Sequence, residues 1–355
     1  MTQLELFRLT CAHEPHEAVL FYANFTPEAK KAITKHLGLE NDTDIREKTG
    51  MFNPAGVNLR NSGPLEKPDF SGYYEGVQQP EGSRIDSIGV LHVPGSMYHF
   101  THRISPLRNA TTLAEVESFP FPDTSRATGE HMKSEVDAAH ARGKVAQLSV
   151  THMYEESWQV RGYEEFLMDM HTNPEICEYV LDRFTERNIR RAEAAARAGV
   201  DLLRTGDDVA NQQNMMFSVD HWRTFIKSRW AKVYSAARAI HPDIKIWYHS
   251  DGNIEAIIPE LIEIGVDILN PVQPECMDLI SLKKEYGDQL VFDGTIGTQT
   301  TMPFGTPEDV TKCVRERRQT LGKDGALILS PTHILEPEVP PENMVAFFDA
   351  CTQTS

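Results

Sequence analysis

The chain reads as an α/β protein, a (β/α)8 barrel with an irregular, loop-rich first part, and three observations predict it. From about Glu135 onward, short apolar runs alternate with helical stretches, the rhythm of parallel βα units rather than of a sandwich. The runs at 244–248 and 326–329 read as buried parallel strands. Both end in polar residues able to bind metal or move protons: Ile244-Lys245-Ile246-Trp247-Tyr248 leads into His249-Ser250-Asp251-Gly252-Asn253, and Ala326-Leu327-Ile328-Leu329 into Ser330-Pro331-Thr332-His333. Barrel enzymes keep their chemistry at such strand ends.

Taken in order, strands are expected at 19–22 and 87–93, then at 145–150, 200–204, 244–249, 267–270, 289–292 and 326–329, which completes eight. Between the later ones lie helices with start signals: Asn173-Pro174 opens 175–197, Ser218 caps a segment running to 239, and Thr306-Pro307-Glu308-Asp309 opens 310–321. Gly199, Gly265, Gly287 and Gly322 punctuate helix ends. Pro and Gly concentrate in 53–82 and 119–123, so long loops are expected to decorate the barrel there. Tyr98, His99, His102 and Arg103, after the second expected strand, are placed at the mouth. No low-complexity tract or longer repeat interrupts the rhythm. One domain over 1–355 is expected, irregular over 1–130 and regular over 131–355.

With 355 residues and 40% hydrophobic content, the chain can bury a large core. No stretch approaches a membrane span, and Met1-Thr2-Gln3-Leu4-Glu5 lacks the start of a signal peptide, so a soluble cytoplasmic protein without membrane contact is expected. Cys11, Cys177, Cys276, Cys313 and Cys351 form no CxxC pair, which argues against a disulfide framework or a zinc module. A net charge of −17, spread without a basic face, disfavours nucleic acid as a partner.

The order of motifs resembles the uroporphyrinogen decarboxylase superfamily, and more closely its methyltransferase-like branch that serves corrinoid-dependent demethylation. The resemblance runs from about Glu17 to Ala350. It rests jointly on Tyr154-Glu155-Glu156-Ser157-Trp158-Gln159-Val160-Arg161-Gly162, Thr205-Gly206-Asp207-Asp208-Val209-Ala210-Asn211-Gln212, His249-Ser250-Asp251-Gly252, Asn270-Pro271-Val272-Gln273-Pro274, Phe304-Gly305-Thr306-Pro307-Glu308-Asp309-Val310 and Pro340-Pro341-Glu342-Asn343. It implies a barrel with its site at the C-terminal strand ends, a small-molecule substrate, and commonly a homodimer. Two departures narrow it. Where the decarboxylases carry an Arg-Gln-Ala-Gly-Arg block that holds substrate carboxylates, this chain reads Phe21-Tyr22-Ala23-Asn24-Phe25-Thr26-Pro27, without arginine. Where the zinc methyltransferases carry His-x-Cys and a later Cys, it has His249, Asp251 and, at or beside the later position, His333. Hard ligands replace soft ones, which weakens a thiol-activating role for the metal.

Residues two apart on a strand face the same side, so His249 and Asp251 are expected to face one cavity, with His333 completing a set suited to zinc as a Lewis acid, or to iron or manganese. The plain alternatives are that Asp251-Gly252-Asn253 forms a turn and that His333 matches a histidine also found in the non-metal decarboxylases. Of Asp207 and Asp208 only one can point inward, and the family's Asp-Asp followed by a glutamine, here Gln212, favours Asp208. The alternative is that one caps a helix and the other pairs with Arg204 or Arg223. Glu155, in a mostly apolar mouth, is the candidate acid for a leaving oxygen, unless Arg161 simply pairs with it. The candidate catalytic set is thus Glu155, Asp208, His249 and His333, and the candidate substrate contacts are Tyr154, Gln212, Gln273, Asp293 and Gln299. Cys276 reads as a plain buried or surface thiol rather than one that restores part of a zinc set beside His249; Trp158, Trp222 and Trp230 read as packing, and Met215-Met216 as core filling rather than the border of an apolar substrate.

Two reactions are expected from such a set. One moves a methyl group from a methylated, typically methoxylated, small substrate to a corrinoid on a separate carrier protein, since the chain shows no Asp-x-His-x-x-Gly sequence of its own. The other is a metal-assisted or acid-base decarboxylase acting on a small carboxylated substrate. A binding barrel with a decayed site is the non-enzymatic reading, and the number of polar strand ends argues against it.

Overall fold

A computed structural model describes residues 1–40, 44–62, 68–95, 102–123 and 127–353. Eight parallel strands form one sheet: β1 (Leu20–Phe21), β2 (Ala55–Gly56), β3 (Ala146–Ser149), β4 (Leu202–Gly206), β5 (Lys245–His249), β6 (Ile268–Val272), β7 (Val291–Ile296) and β8 (Leu327–Pro331). They pair in the spatial order β1-β8-β7-β6-β5-β4-β3-β2. The sheet curls round on itself, and its two ends meet where the Phe52 N–H donates to the Phe21 carbonyl at 2.7 Å.

Strand alternation sorts the side chains into two apolar cores. Leu20, Leu202, Trp247, Ile268, Val291 and Ile328 fill the lumen with Phe52, and α1 (Gln3–Cys11) plugs the N-terminal end with Leu4, Leu6 and Phe7. Their sequence neighbours Leu203, Ile246, Tyr248, Leu269, Phe292, Leu327 and Leu329 face outward into the larger core under the helices. Inward positions one step further along the strands, Arg204, His249, Asn270 and Asp293, are polar, so the lumen changes from apolar to polar toward the C-terminal end. That step is what positions the site.

The helices follow their start signals. α2 (Met153–Arg161) lies after β3, and α3 (Pro174–Ala198) begins with Pro174 in its first turn and ends at Gly199 in the left-handed region (φ +79°). Ser218 caps a short helix, Val219–His221, followed by a wide π turn, Trp222–Lys227, and then α4 (Ser228–Ile240). α5 (Pro307–Leu321) opens with a reciprocal Thr306–Asp309 capping box, and α6 (Pro341–Thr352) completes the outer layer.

The expected second strand needs correcting. Residues 91–93 belong to a three-stranded antiparallel ribbon, Arg84–Ile85, Leu91–Val93 and His102–Ile104, in a sheet of its own. The barrel's second strand is Ala55–Gly56, inside the stretch read as loop. Two residues, one of them glycine, carry no apolar run to betray them. His102 and Arg103 sit exposed on the ribbon, and Tyr98 and His99 lie outside the described residues.

Candidate active site

The chain leaves β4 at Gly206 and β5 at His249, and two glycines let the loops that follow approach each other. Gly206 has φ +149°, and a Cβ there would meet the His249 carbonyl oxygen at 2.3 Å. Gly252 has φ +91°, and a Cβ there would meet the Asn211 carbonyl oxygen at 2.5 Å. The loops are then stitched together by backbone bonds, Asp207 N–H to the His249 carbonyl at 2.9 Å and Asn253 N–H to the Asn211 carbonyl at 2.8 Å.

This stitching brings Asp208, His249 and Asp251 together, with one ligand atom from each inside a 4.8 Å group. His249 Nε2 stands 3.6 Å from Asp208 Oδ1, which also accepts the Asp251 N–H at 2.9 Å. The other ring nitrogen, Nδ1, donates to Asn270 Oδ1 at 2.7 Å, because a carboxamide oxygen can only accept. The Asn270 amide in turn donates to Tyr22 Oη (3.2 Å), and Tyr22 donates to Asp293 Oδ2 (3.1 Å). A relay of this kind fixes the imidazole and leaves Nε2 as a lone-pair donor, the arrangement of a ligating histidine. Asp251 Oδ1 is buried without any hydrogen-bond partner, and burial pushes the Asp251 carboxyl up, with Asp208 adding to the effect while His249 opposes it. An unpaired buried carboxylate oxygen facing a free imidazole nitrogen and a second carboxylate fits a divalent cation.

Around this cluster lie two adjoining cavities that share His333 and Ile334. One, of about 440 Å³, is lined among others by Asp251, Gln212, Gln273, Gln299 and His333. The other, of about 300 Å³, reaches into the barrel past His249, His152, Arg204 and Trp247.

The sequence candidates separate on this frame. Asp208 turns to His249 and the Asp251 N–H, whereas Asp207 is buried and accepts the Tyr154 N–H and the Trp230 Nε1–H, each at 2.7 Å. Burial, reinforced by Glu155, pushes the Asp207 carboxyl well up. Neither aspartate meets Arg204 or Arg223, since Arg223 pairs with Asp220 and Glu260. Glu155 is not isolated among apolar groups as expected: its Oε2 accepts the His152 Nδ1–H at 2.5 Å and the Asp208 N–H at 3.1 Å. Arg161 does not pair with it, but with Asp169 and the Leu107 carbonyl. His333 lines both cavities, exposed, and is not part of the ligand cluster. Gln212 and Gln299 bond each other at 2.8 Å across the mouth. Gln273 accepts the Gly252 N–H at 2.5 Å, and Cys276 turns its thiol toward Gln273 at 3.6 Å, outside the ligand cluster.

Asp293 and Tyr154 depart from the substrate role expected of them. Asp293 is buried in the lumen and saturated by Trp247 Nε1–H (2.8 Å), Tyr22 and Ser330 (3.0 Å). Tyr154 is buried against Phe166 and Phe217, and its backbone, not its ring, serves the site. Two lining residues escaped the sequence reading. His152 stands at the mouth with its ring 5.8 Å from that of His249. Burial pulls its pKa down, but the Glu155 hydrogen bond and the charges of Glu155, Asp207 and Asp208 outweigh this and carry it up to about 9. Arg204, an inward β4 residue, lays its guanidinium 3.9 Å from the Trp247 ring centroid. A polar residue at an inward position of an otherwise apolar run was the available signal for Arg204. His152 had none beyond its place after β3.

A closed parallel barrel with its polar cluster on the C-terminal face defines the class. Residues 149–354 match the uroporphyrinogen decarboxylase (URO-D) family, and the chain belongs to that family. The methylcobamide:CoM methyltransferase MtaA of Methanosarcina barkeri is 28% identical over 176 residues, 50% of this chain and 48% of that protein. A uroporphyrinogen decarboxylase of Hydrogenobaculum sp. is 20% identical over 195 residues, 55% of this chain and 53% of that protein. The matched stretches thus span about half the length of these curated relatives. A solved methyltransferase from Methanosarcina mazei shares the fold, with a TM-score of 0.67 at 17% identity, covering 99% of this chain and 98% of its own. Among the described residues no helix is long and apolar enough to cross a membrane.

Proposed function

We propose that the protein is a methyltransferase that takes a methyl group from a small methylated substrate, a methoxylated one being the simplest, and delivers it to a corrinoid on a separate carrier protein. The likeness to a methylcobamide methyltransferase supports the class of reaction. The observation that carries the reading is the Asp208–His249–Asp251 set, with a partnerless Asp251 Oδ1 and a free His249 Nε2 at the wall of an open cavity. Bound there, a divalent cation, zinc first and manganese or iron next, supplies Lewis acidity to the oxygen that the methyl group leaves.

The chain's own residues do the rest. Asn270 and Tyr22 hold the His249 ring in one tautomer. Glu155 holds the His152 ring through Nδ1, which leaves Nε2 toward the cavity to give a proton to the departing oxygen. The role assigned to Glu155 in the sequence thereby passes to His152, with Glu155 positioning it. Gln212 and Gln299 close the outer rim of the cavity. The half-open mouth leaves the methyl carbon accessible to a flat macrocycle from outside.

The test supplies purified protein loaded with zinc, manganese or iron(II), cob(I)alamin and a panel of methoxylated and N-methylated compounds, and follows methylcobalamin by its absorption spectrum. Methylcobalamin formed with at least one compound, and lost in His249→Ala, is the expected result. Release of carbon dioxide from a carboxylated member of the panel without cobalamin methylation would replace methyl transfer by decarboxylation.

A further inference from the structure

Arg204 is the cation that the proposed reaction leaves without a task. It projects from the middle of β4 into the lumen and lines the inner, 300 Å³ cavity. Among the described residues no carboxylate oxygen lies within 4.0 Å of it, although the chain carries a net charge of −17. The carboxylate nearest in the lumen, Asp293, is already saturated by Trp247, Tyr22 and Ser330. What Arg204 does have is a platform. Its guanidinium lies over the Trp247 indole at 3.9 Å, and Asp293 holds that indole by its N–H, so the cation is fixed in place with its hydrogen-bonding edges uncommitted.

A second guanidinium approaches from the other side. Arg46 donates to Asn24 Oδ1 at 2.6 Å, and Asn24 lines the same inner cavity. Arg46 and Arg204 both line a hollow of about 20 Å³ with Tyr22, Trp247 and Asp293. Like charges in a partly dry site repel, and burial together with the charge of Arg204 lowers the Arg46 pKa. The acid beside them, Asp293, spends its oxygens on Trp247, Tyr22 and Ser330, so two guanidiniums share one carboxylate that hydrogen-bonds neither, an arrangement that an incoming anion relieves.

We propose that Arg204 is the anchor for a carboxylate on the substrate, with Arg46 adding charge behind it, so that the molecule demethylated at the Asp208–His249–Asp251 end is a small carboxylic acid anion. The inference rests on the reading of the barrel mouth as the substrate site. A carboxylate is favoured because a planar guanidinium matches it with two parallel hydrogen bonds. The Trp247 ring lies 3.9 Å from Arg204 and stacks on the His249 ring (5.6 Å, 11° between planes), so the anchor and the cluster are separated by no more than those two steps. That span suits a compact acid with its methyl-bearing oxygen at the far end.

Isothermal titration calorimetry of the full chain, metal-free and zinc-loaded, tests the anchor directly. The probes are 4-methoxybenzoate and methoxyacetate, their amides, and inorganic phosphate, against wild type, Arg204→Lys and Arg204→Gln, with thermal melts to verify that each variant folds. At least one carboxylate should bind about tenfold or more tighter than its amide, the preference should vanish in Arg204→Gln, and Arg204→Lys should retain part of it. Equal binding of acid and amide, phosphate binding as tightly as the acids, no binding of either acid, or an undiminished preference in folded Arg204→Gln would each overturn the anchor. The two readings fail separately. Carboxylate binding through Arg204 with no methylcobalamin in the earlier assay removes methyl transfer and keeps the anchor. Methyl transfer from a neutral ether that is unimpaired in Arg204→Gln does the reverse.

Discussion

The two walls of the barrel mouth carry opposite charge and are built in different ways. On one wall Asp208 and Asp251 lie beyond the ends of β4 and β5, on loops held together by backbone hydrogen bonds and by two glycines with positive φ. On the other, Arg204 and Trp247 lie within β4 and β5, where alternation alone points them inward. The first wall gathers anionic oxygens around one imidazole, and the second presents a guanidinium on an indole. Strand-borne groups are placed by the period of the backbone. Loop-borne groups are placed by contacts between segments distant in sequence, and are correspondingly easier to disturb.

Three substitutions probe whether the walls are separable. His249→Ala should have the largest effect: stoichiometric metal, measured by elemental analysis after dialysis, should be lost, with at least about a hundredfold drop in metal affinity, while binding of small carboxylates in the metal-free state is retained. Loss of both would merge the two walls into one site. Asp207→Ala comes next, because it strands the Tyr154 N–H and the Trp230 Nε1–H in the core. A destabilisation of about 3 kcal/mol is expected in urea unfolding. It should fall on the loop-borne wall first, seen as metal release at urea concentrations where the Trp247 signal is still native. Asn270→Ala should be the mildest, lowering metal affinity by roughly ten- to a hundredfold through a loosened His249 ring. Its apolar core is untouched, so the urea midpoint should move little.

Legibility followed the same division. Strands β3 to β8 are readable because each contains a short apolar stretch set between helical ones, and the structure moves their ends by only a few residues. β2 is not, since Ala55–Gly56 has no pattern of its own and is a strand only because β3 pairs with it. The ribbon strand Leu91–Val93 reads like a barrel strand because apolar content does not reveal which sheet a segment joins. In the site, the spacing of His249 and Asp251 at a strand end points to both, and the resemblance's Asp-Asp followed by Gln212 points to Asp208. The sequence sets His333 beside them at a second strand end, yet His333 lines the cavity and the cluster that could hold a metal forms with Asp208 instead. Sequence order says which strand ends are polar, not which of them the loops carry into contact.

What the sequence determined alone was the barrel, through the period of its apolar runs, and the family, through the joint order of its motifs. What only the tertiary structure decided was the allocation of charge. Asp207 and Asp208 are chemically identical neighbours on the loop after β4, and one is buried under Trp230 while the other meets His249 and the Asp251 N–H because the loop is bonded to the end of β5 through the Asp207 N–H. Glu155 and His152 become one hydrogen-bonded pair, and Arg204 is left on an indole while the nearby Asp293 bonds other groups, because ionisable groups act through distances of a few ångströms that are fixed when the sheet closes.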